Sequence, residues 1–124
     1  MWGLLALFLI VLVAGCVSTE QSLSVSTVLQ NPEKYLEEQI SVKGLAAAYK
    51  LRCTDLMCTE DNPCCNTCGG SLALEESGKK LPLEGISCKG NNCEQKCGSF
   101  EIGKEYTITA TLKNVDGELL LNEA

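Results

Sequence analysis

Eight cysteines crowd the middle of this chain: Cys53, Cys58, Cys64, Cys65, Cys68, Cys88, Cys93 and Cys97. The ninth, Cys16, stands far upstream. No other feature restricts the fold as much, because each thiol must be bonded, ligated or kept reduced. The eight fall into two clusters, Cys53 to Cys68 and Cys88 to Cys97, and each cluster holds an odd number. If all eight pair within the chain, at least one disulfide bridges the clusters and the two segments touch. Cys64 and Cys65 are chain neighbours, and the peptide bond between them disfavours their own disulfide, so they point to different partners. Eight cysteines allow on the order of a hundred connectivities, and the spacing selects none.

What the thiols do depends on the compartment, and the N-terminus speaks to that. From Trp2 to Ala14 the chain is apolar or glycine, without charge. That run is shorter than the roughly 20 residues of a spanning helix and fits the apolar region of a secretory signal. It ends in Val13-Ala14-Gly15-Cys16. Small residues directly before a cysteine resemble the lipobox of prokaryotic lipoproteins. The resemblance implies a signal peptide over 1–15, with Cys16 as the first mature residue and the lipidation site. It also implies attachment to a membrane through that lipid and an extracytoplasmic location. Residues 16–25 then form a lipidated tether, small and polar after Cys16, and 26–124 form one domain.

In an oxidising compartment an even set of cysteines in a small domain reads as a disulfide framework. Two alternatives remain open. Cys65-x2-Cys68 and Cys93-x3-Cys97 have zinc-like spacing, and four thiolates would hold zinc or copper tetrahedrally. Against that, Cys65 is embedded in a Cys-Cys doublet, and exported thiolates lack protection from oxidation. Cys65-Asn66-Thr67-Cys68 is also a CxxC, the form of a thiol–disulfide redox site. Such a site needs a helix N-terminus behind it, and here Gly69-Gly70 and a strand follow.

Composition narrows the function further. Net charge is −6, and every charged side chain lies after Cys16. Nucleic-acid binders show the reverse balance, so no nucleic acid is expected as partner. There is no histidine, which removes the commonest general base and metal ligand together. No nucleophile–base spacing is in view, so neither enzyme chemistry nor a cofactor is expected. Glu37-Glu38 and Glu75-Glu76 read as solvated surface. The role left is a binding or structural module for an envelope protein, a glycan or a small ligand.

The pattern along the domain is all-β. Residues 26–36 form a helical lead-in, capped by Ser26 or Thr27, with Pro32 opening a second turn. Strands are expected at 40–49, 71–74, 81–83, 106–112 and 118–121. The first has Gly44 as a bend or bulge. In the fourth, Tyr106, Ile108, Ala110 and Leu112 share one face. Asp116-Gly117 turns the last hairpin. Residues 52–70 and 85–99 are expected as two cysteine-rich loops. The runs Asn31-Pro32-Glu33-Lys34-Tyr35-Leu36 with Ile40-Ser41-Val42-Lys43-Gly44, and Ile102-Gly103-Lys104-Glu105-Tyr106 onward, resemble small OB-fold domains over 27–50 and 100–122. That resemblance implies a five-stranded, OB-like Greek-key barrel.

Overall fold

The computed structural model describes residues 21–123. The expected signal peptide over 1–15, the expected lipidation site Cys16 and most of the expected tether over 16–25 lie outside the described residues. The described residues are mostly β-sheet, in one mixed sheet of seven strands. In chain order these are β1 (Leu23–Ser24), β2 (Gln39–Cys53), β3 (Thr67–Glu76), β4 (Lys79–Asn91), β5 (Gln95–Cys97), β6 (Glu105–Val115) and β7 (Glu118–Asn122). Helix α1 (Val25–Gln30) and a 3-10 turn, Pro32–Lys34, come between β1 and β2.

The strand order is β1-β2-β3-β4-β7-β6, β6 also pairs β2, and β5 pairs β4. β2 is the hub. Residues 39–45 pair β6 on one edge, and from Leu45 onward the other edge pairs β3. β1 adds parallel to that second edge at Val42–Lys43. β7 meets β4 in parallel at Leu83 and Leu121 and runs antiparallel to β6.

Alternation builds the core. Ile40 and Val42 on β2, Leu72 and Leu74 on β3, and Leu81 and Leu83 on β4 are buried. Ile108, Ala110 and Leu112 on β6 join Leu121 on β7. The inward face of β6 is the one its alternation predicts, although Tyr106 at its start is only half-buried. Burying each such leucine is worth about 2–3 kcal/mol. Helix α1 closes one side with Val25 and Val28, three apart and both fully buried. Gly44 makes room for it: a Cβ there would lie 3.1 Å from both Leu74 Cβ and Val25 Cγ2. Its role is close approach, not the expected bulge. The irregularity in β2 falls later, between Tyr49 and Arg52.

Other expectations are corrected. Ser24, not Ser26 or Thr27, caps α1, its hydroxyl accepting from the Thr27 amide at 3.1 Å. Pro32 does open the second turn. Residues 23–25, expected in the tether, are part of the sheet and core: Leu23 and Ser24 pair with β2 and Val25 is buried. Among the described residues there are seven strands rather than five, since β1 and β5 were not expected. The first cysteine loop shrinks to 54–66. Most of the second is strand, because β4 runs on to Asn91 and turns back as β5. Two hairpins have two-residue turns. Ser77-Gly78 joins β3 to β4, and Asp116-Gly117 joins β6 to β7, with all four residues at positive φ as the right-handed sheet twist prefers.

Candidate functional site

All eight central cysteines pair. Cys53 bonds Cys68, Cys58 bonds Cys65, Cys64 bonds Cys93 and Cys88 bonds Cys97. Cys64–Cys93 is the bridge between clusters that parity requires, and the neighbours Cys64 and Cys65 take different partners. The four alternative metal ligands, Cys65, Cys68, Cys93 and Cys97, sit in four different disulfides. The candidate redox pair Cys65/Cys68 is likewise not a pair.

The bonds divide into two kinds. Cys53 and Cys68 are directly opposed on β2 and β3, and Cys88 and Cys97 on β4 and β5, each with Cα atoms 4.0 Å apart. These two stitch neighbouring strands. Cys88 and Cys97 are fully buried and join the hydrophobic core. The other two disulfides clamp the loop 54–66, one upon itself and one against the turn between β4 and β5.

Side-chain amides complete the clamp. Asn66 Oδ1 accepts from the Leu56 amide at 2.6 Å and from the Thr54 hydroxyl at 3.0 Å. Its Nδ2 donates to Leu56 O at 3.1 Å. Asn66 N donates to Asn92 Oδ1, Asn92 N donates back to Asn66 O, and Asn92 Nδ2 donates to Pro63 O. Asn91 Oδ1 accepts from the amides of Cys93 and Glu94, which forms the β4–β5 turn. A loop of this length is otherwise costly to order, and here each side has a covalent or hydrogen-bonded tie.

On this clamped loop, apolar side chains face water. Met57 is 99% exposed and Leu56 61%. The irregular segment of β2 crosses close over Gly70, where a Cβ would lie 2.9 Å from Tyr49 O. That end of β2 is tied to β7: Tyr49 OH donates to Glu118 Oε1 at 2.9 Å, and Lys50 Nζ lies 3.1 Å from Glu118 Oε2. The Lys50 hydrogen bond, followed by that of Tyr49, holds the Glu118 carboxyl below its ordinary pKa. Donation to Glu118, followed by burial, raises the Tyr49 phenol above its ordinary value of 10.0.

Sequence reasoning missed Leu56, Met57 and Asn66 as members of this site. The signal for the first two was present, since an apolar pair between Asp55 and Cys58 interrupts an otherwise polar loop. Asn66 carried none, because an asparagine between cysteines reads as a turn residue. No family model, curated protein or solved structure matches this chain. Multiple disulfides fit an extracytoplasmic location, and no described helix is long and apolar enough to cross a membrane.

Proposed function

We propose that the chain is a lipid-anchored extracytoplasmic binding module, held to its membrane through Cys16 and without catalysis of its own. Its body is an OB-like five-strand barrel formed by β2, β3, β4, β7 and β6. The circuit of pairings from β2 through β3, β4, β7 and β6 back to β2 supports that shape, as does the parallel contact of β4 with β7. The surface it presents is the clamped loop 54–66. One observation carries this: three disulfides hold or flank a loop that exposes Leu56 and Met57. Apolar side chains kept rigid in water favour a partner that desolvates them, and rigidity lowers the entropy lost on binding. The occupant is an envelope protein with an apolar recess.

The test is a photo-crosslinking residue placed at position 57 in the native membrane, with position 113 as control. A discrete protein adduct at 57 that weakens with Leu56→Ser supports the reading. Equal labelling at both positions, or none at 57, refutes it.

A further inference from the structure

The sheet face beside the two strand-stitching disulfides carries a feature that stapling does not explain. Arg52 opposes Gly69, Gly69 opposes Lys89, and Lys89 opposes Lys96. Directly opposed residues of an antiparallel sheet share a face. One row across β2, β3, β4 and β5 therefore reads Arg, Gly, Lys, Lys, and all four residues are exposed. Their chain neighbours Cys53, Cys68, Cys88 and Cys97 form the two disulfides. Successive residues alternate faces, so those bonds fix the strands directly behind the row.

Like charges directly opposed on a hairpin destabilise it. Lys43, Lys50 and Lys80 each have a carboxylate partner, Glu105, Glu118 and Glu75. Among the described residues, Arg52, Lys89 and Lys96 have none within 4.0 Å. Lys34, Lys79, Lys104 and Lys113 also lack one, but in a chain of net charge −6 it is Arg52, Lys89 and Lys96 that the strand register sets in one row. The Cys88–Cys97 bond holds Lys89 against Lys96 although the two repel.

We propose that the row Arg52–Gly69–Lys89–Lys96 binds a short ligand carrying two or more phosphate or sulfate groups. Neighbouring strands lie about 4.8 Å apart, which puts Lys89 and Lys96 close enough for both side chains to reach one tetrahedral anion. Arg52 stands two strands from Lys89, about 9.6 Å away, with only the backbone of Gly69 between them. A second anionic group rests on that bare floor and meets the guanidinium fork, which suits phosphate geometry. The overall negative charge works against a long polyanion and leaves a compact one. The ligand is drawn from the surrounding compartment, and vesicle binding in the experiment below separates it from a membrane headgroup. This deepens the binding role and rests on it only for the compartment.

The experiment is calorimetric titration of the detergent-solubilised full chain, disulfides intact, with inorganic tripolyphosphate at low salt. Saturable binding is expected, weakening as salt rises. Lys89→Gln and Lys96→Gln should each weaken it about tenfold, the scale of one lost charge-assisted hydrogen bond. Lys79→Gln with Lys80→Gln, at a distant hairpin tip, should leave it unchanged. A second readout is stability: Lys96→Glu should raise Tm while abolishing binding. No saturable binding, equal weakening by the hairpin-tip variant, or a lower Tm for Lys96→Glu would each overturn the proposal. Binding to anionic phospholipid vesicles without binding of tripolyphosphate would overturn it in favour of a headgroup. Failure here leaves the crosslinking result at position 57 unaffected, so the two readings fail separately.

Discussion

Replacing Cys64 and Cys93 together by serine removes the one covalent tie between the two cysteine clusters. The bond spans 29 residues, against 7 for Cys58–Cys65. Disulfide stabilisation through the unfolded chain grows with the logarithm of the loop closed, giving about 3.6 kcal/mol for the first and about 2.4 kcal/mol for the second. The other disulfides offer the unfolded chain no shorter path between Cys64 and Cys93, so the first figure holds with those bonds intact. In the folded state the clusters keep the contacts of Asn92 with Asn66 and Pro63, so the double variant folds. For a domain near 100 residues, its Tm should fall by about 15–25 °C. Guanidinium unfolding without reductant, followed by tyrosine near-ultraviolet circular dichroism, measures both double variants. Losing Cys58–Cys65 should cost about 1 kcal/mol less than losing Cys64–Cys93. If Cys58→Ser with Cys65→Ser is as damaging or worse, the loop-entropy reasoning is refuted. A loss below about 1 kcal/mol for Cys64→Ser with Cys93→Ser would show that the amide contacts alone hold the clusters together.

Three further outcomes follow from the packing and charge. Gly44→Ala drives a Cβ to 3.1 Å from Val25 Cγ2 and Leu74 Cβ; it should cost about 1–3 kcal/mol by overpacking, read by denaturant midpoint. Asn66→Ala removes three hydrogen bonds to Thr54 and Leu56. It should cost about 2 kcal/mol and speed hydrogen exchange at the Leu56 amide, and unchanged exchange would contradict its role in holding the loop. The Tyr49–Glu118 tie has a sign on each side of neutrality. Glu118 is lowered in the folded state, so its contribution is present above the ordinary carboxylate pKa and lost as pH falls through the depressed value. Tyr49 is raised, so its contribution is present below its ordinary 10.0 and lost as pH climbs through the raised value. Glu118→Gln should flatten the acid limb of stability against pH and bring the Tyr49 titration, followed by phenolate absorbance, back toward 10.0.

Where sequence and structure agree, short-range chemistry was enough. Counting odd clusters already required a bond such as Cys64–Cys93. The geometry of adjacent cysteines already separated the partners of Cys64 and Cys65. The β6 strand was legible because Ile108, Ala110 and Leu112 alternate with threonines, and the last hairpin because Asp116-Gly117 suits a tight turn. The rest was hidden for physical reasons. β4 continues through Cys88 and Gly90, where the inward positions are a disulfide sulfur and a glycine rather than large aliphatic side chains. The period-2 pattern was present there, with cysteine taking the apolar place. β1 is two residues long and exists only because β2 offers a free edge, a tertiary fact no local pattern carries. The cation row is likewise invisible along the chain, because Arg52, Gly69, Lys89 and Lys96 meet only through the register of three strand pairs.

The most direct measurement is intact mass of the native, membrane-extracted protein before and after reduction, with thiol alkylation and a peptide map of the bonds. Expected is a chain beginning at Cys16 with lipid mass added, no alkylation until reduction, and then alkylation at all eight of Cys53, Cys58, Cys64, Cys65, Cys68, Cys88, Cys93 and Cys97. The map should return Cys53–Cys68, Cys58–Cys65, Cys64–Cys93 and Cys88–Cys97. Free thiols before reduction, a Cys65–Cys68 bond, or a mass that still includes residues 1–15 would contradict the reading of an exported, lipid-anchored and disulfide-clamped module.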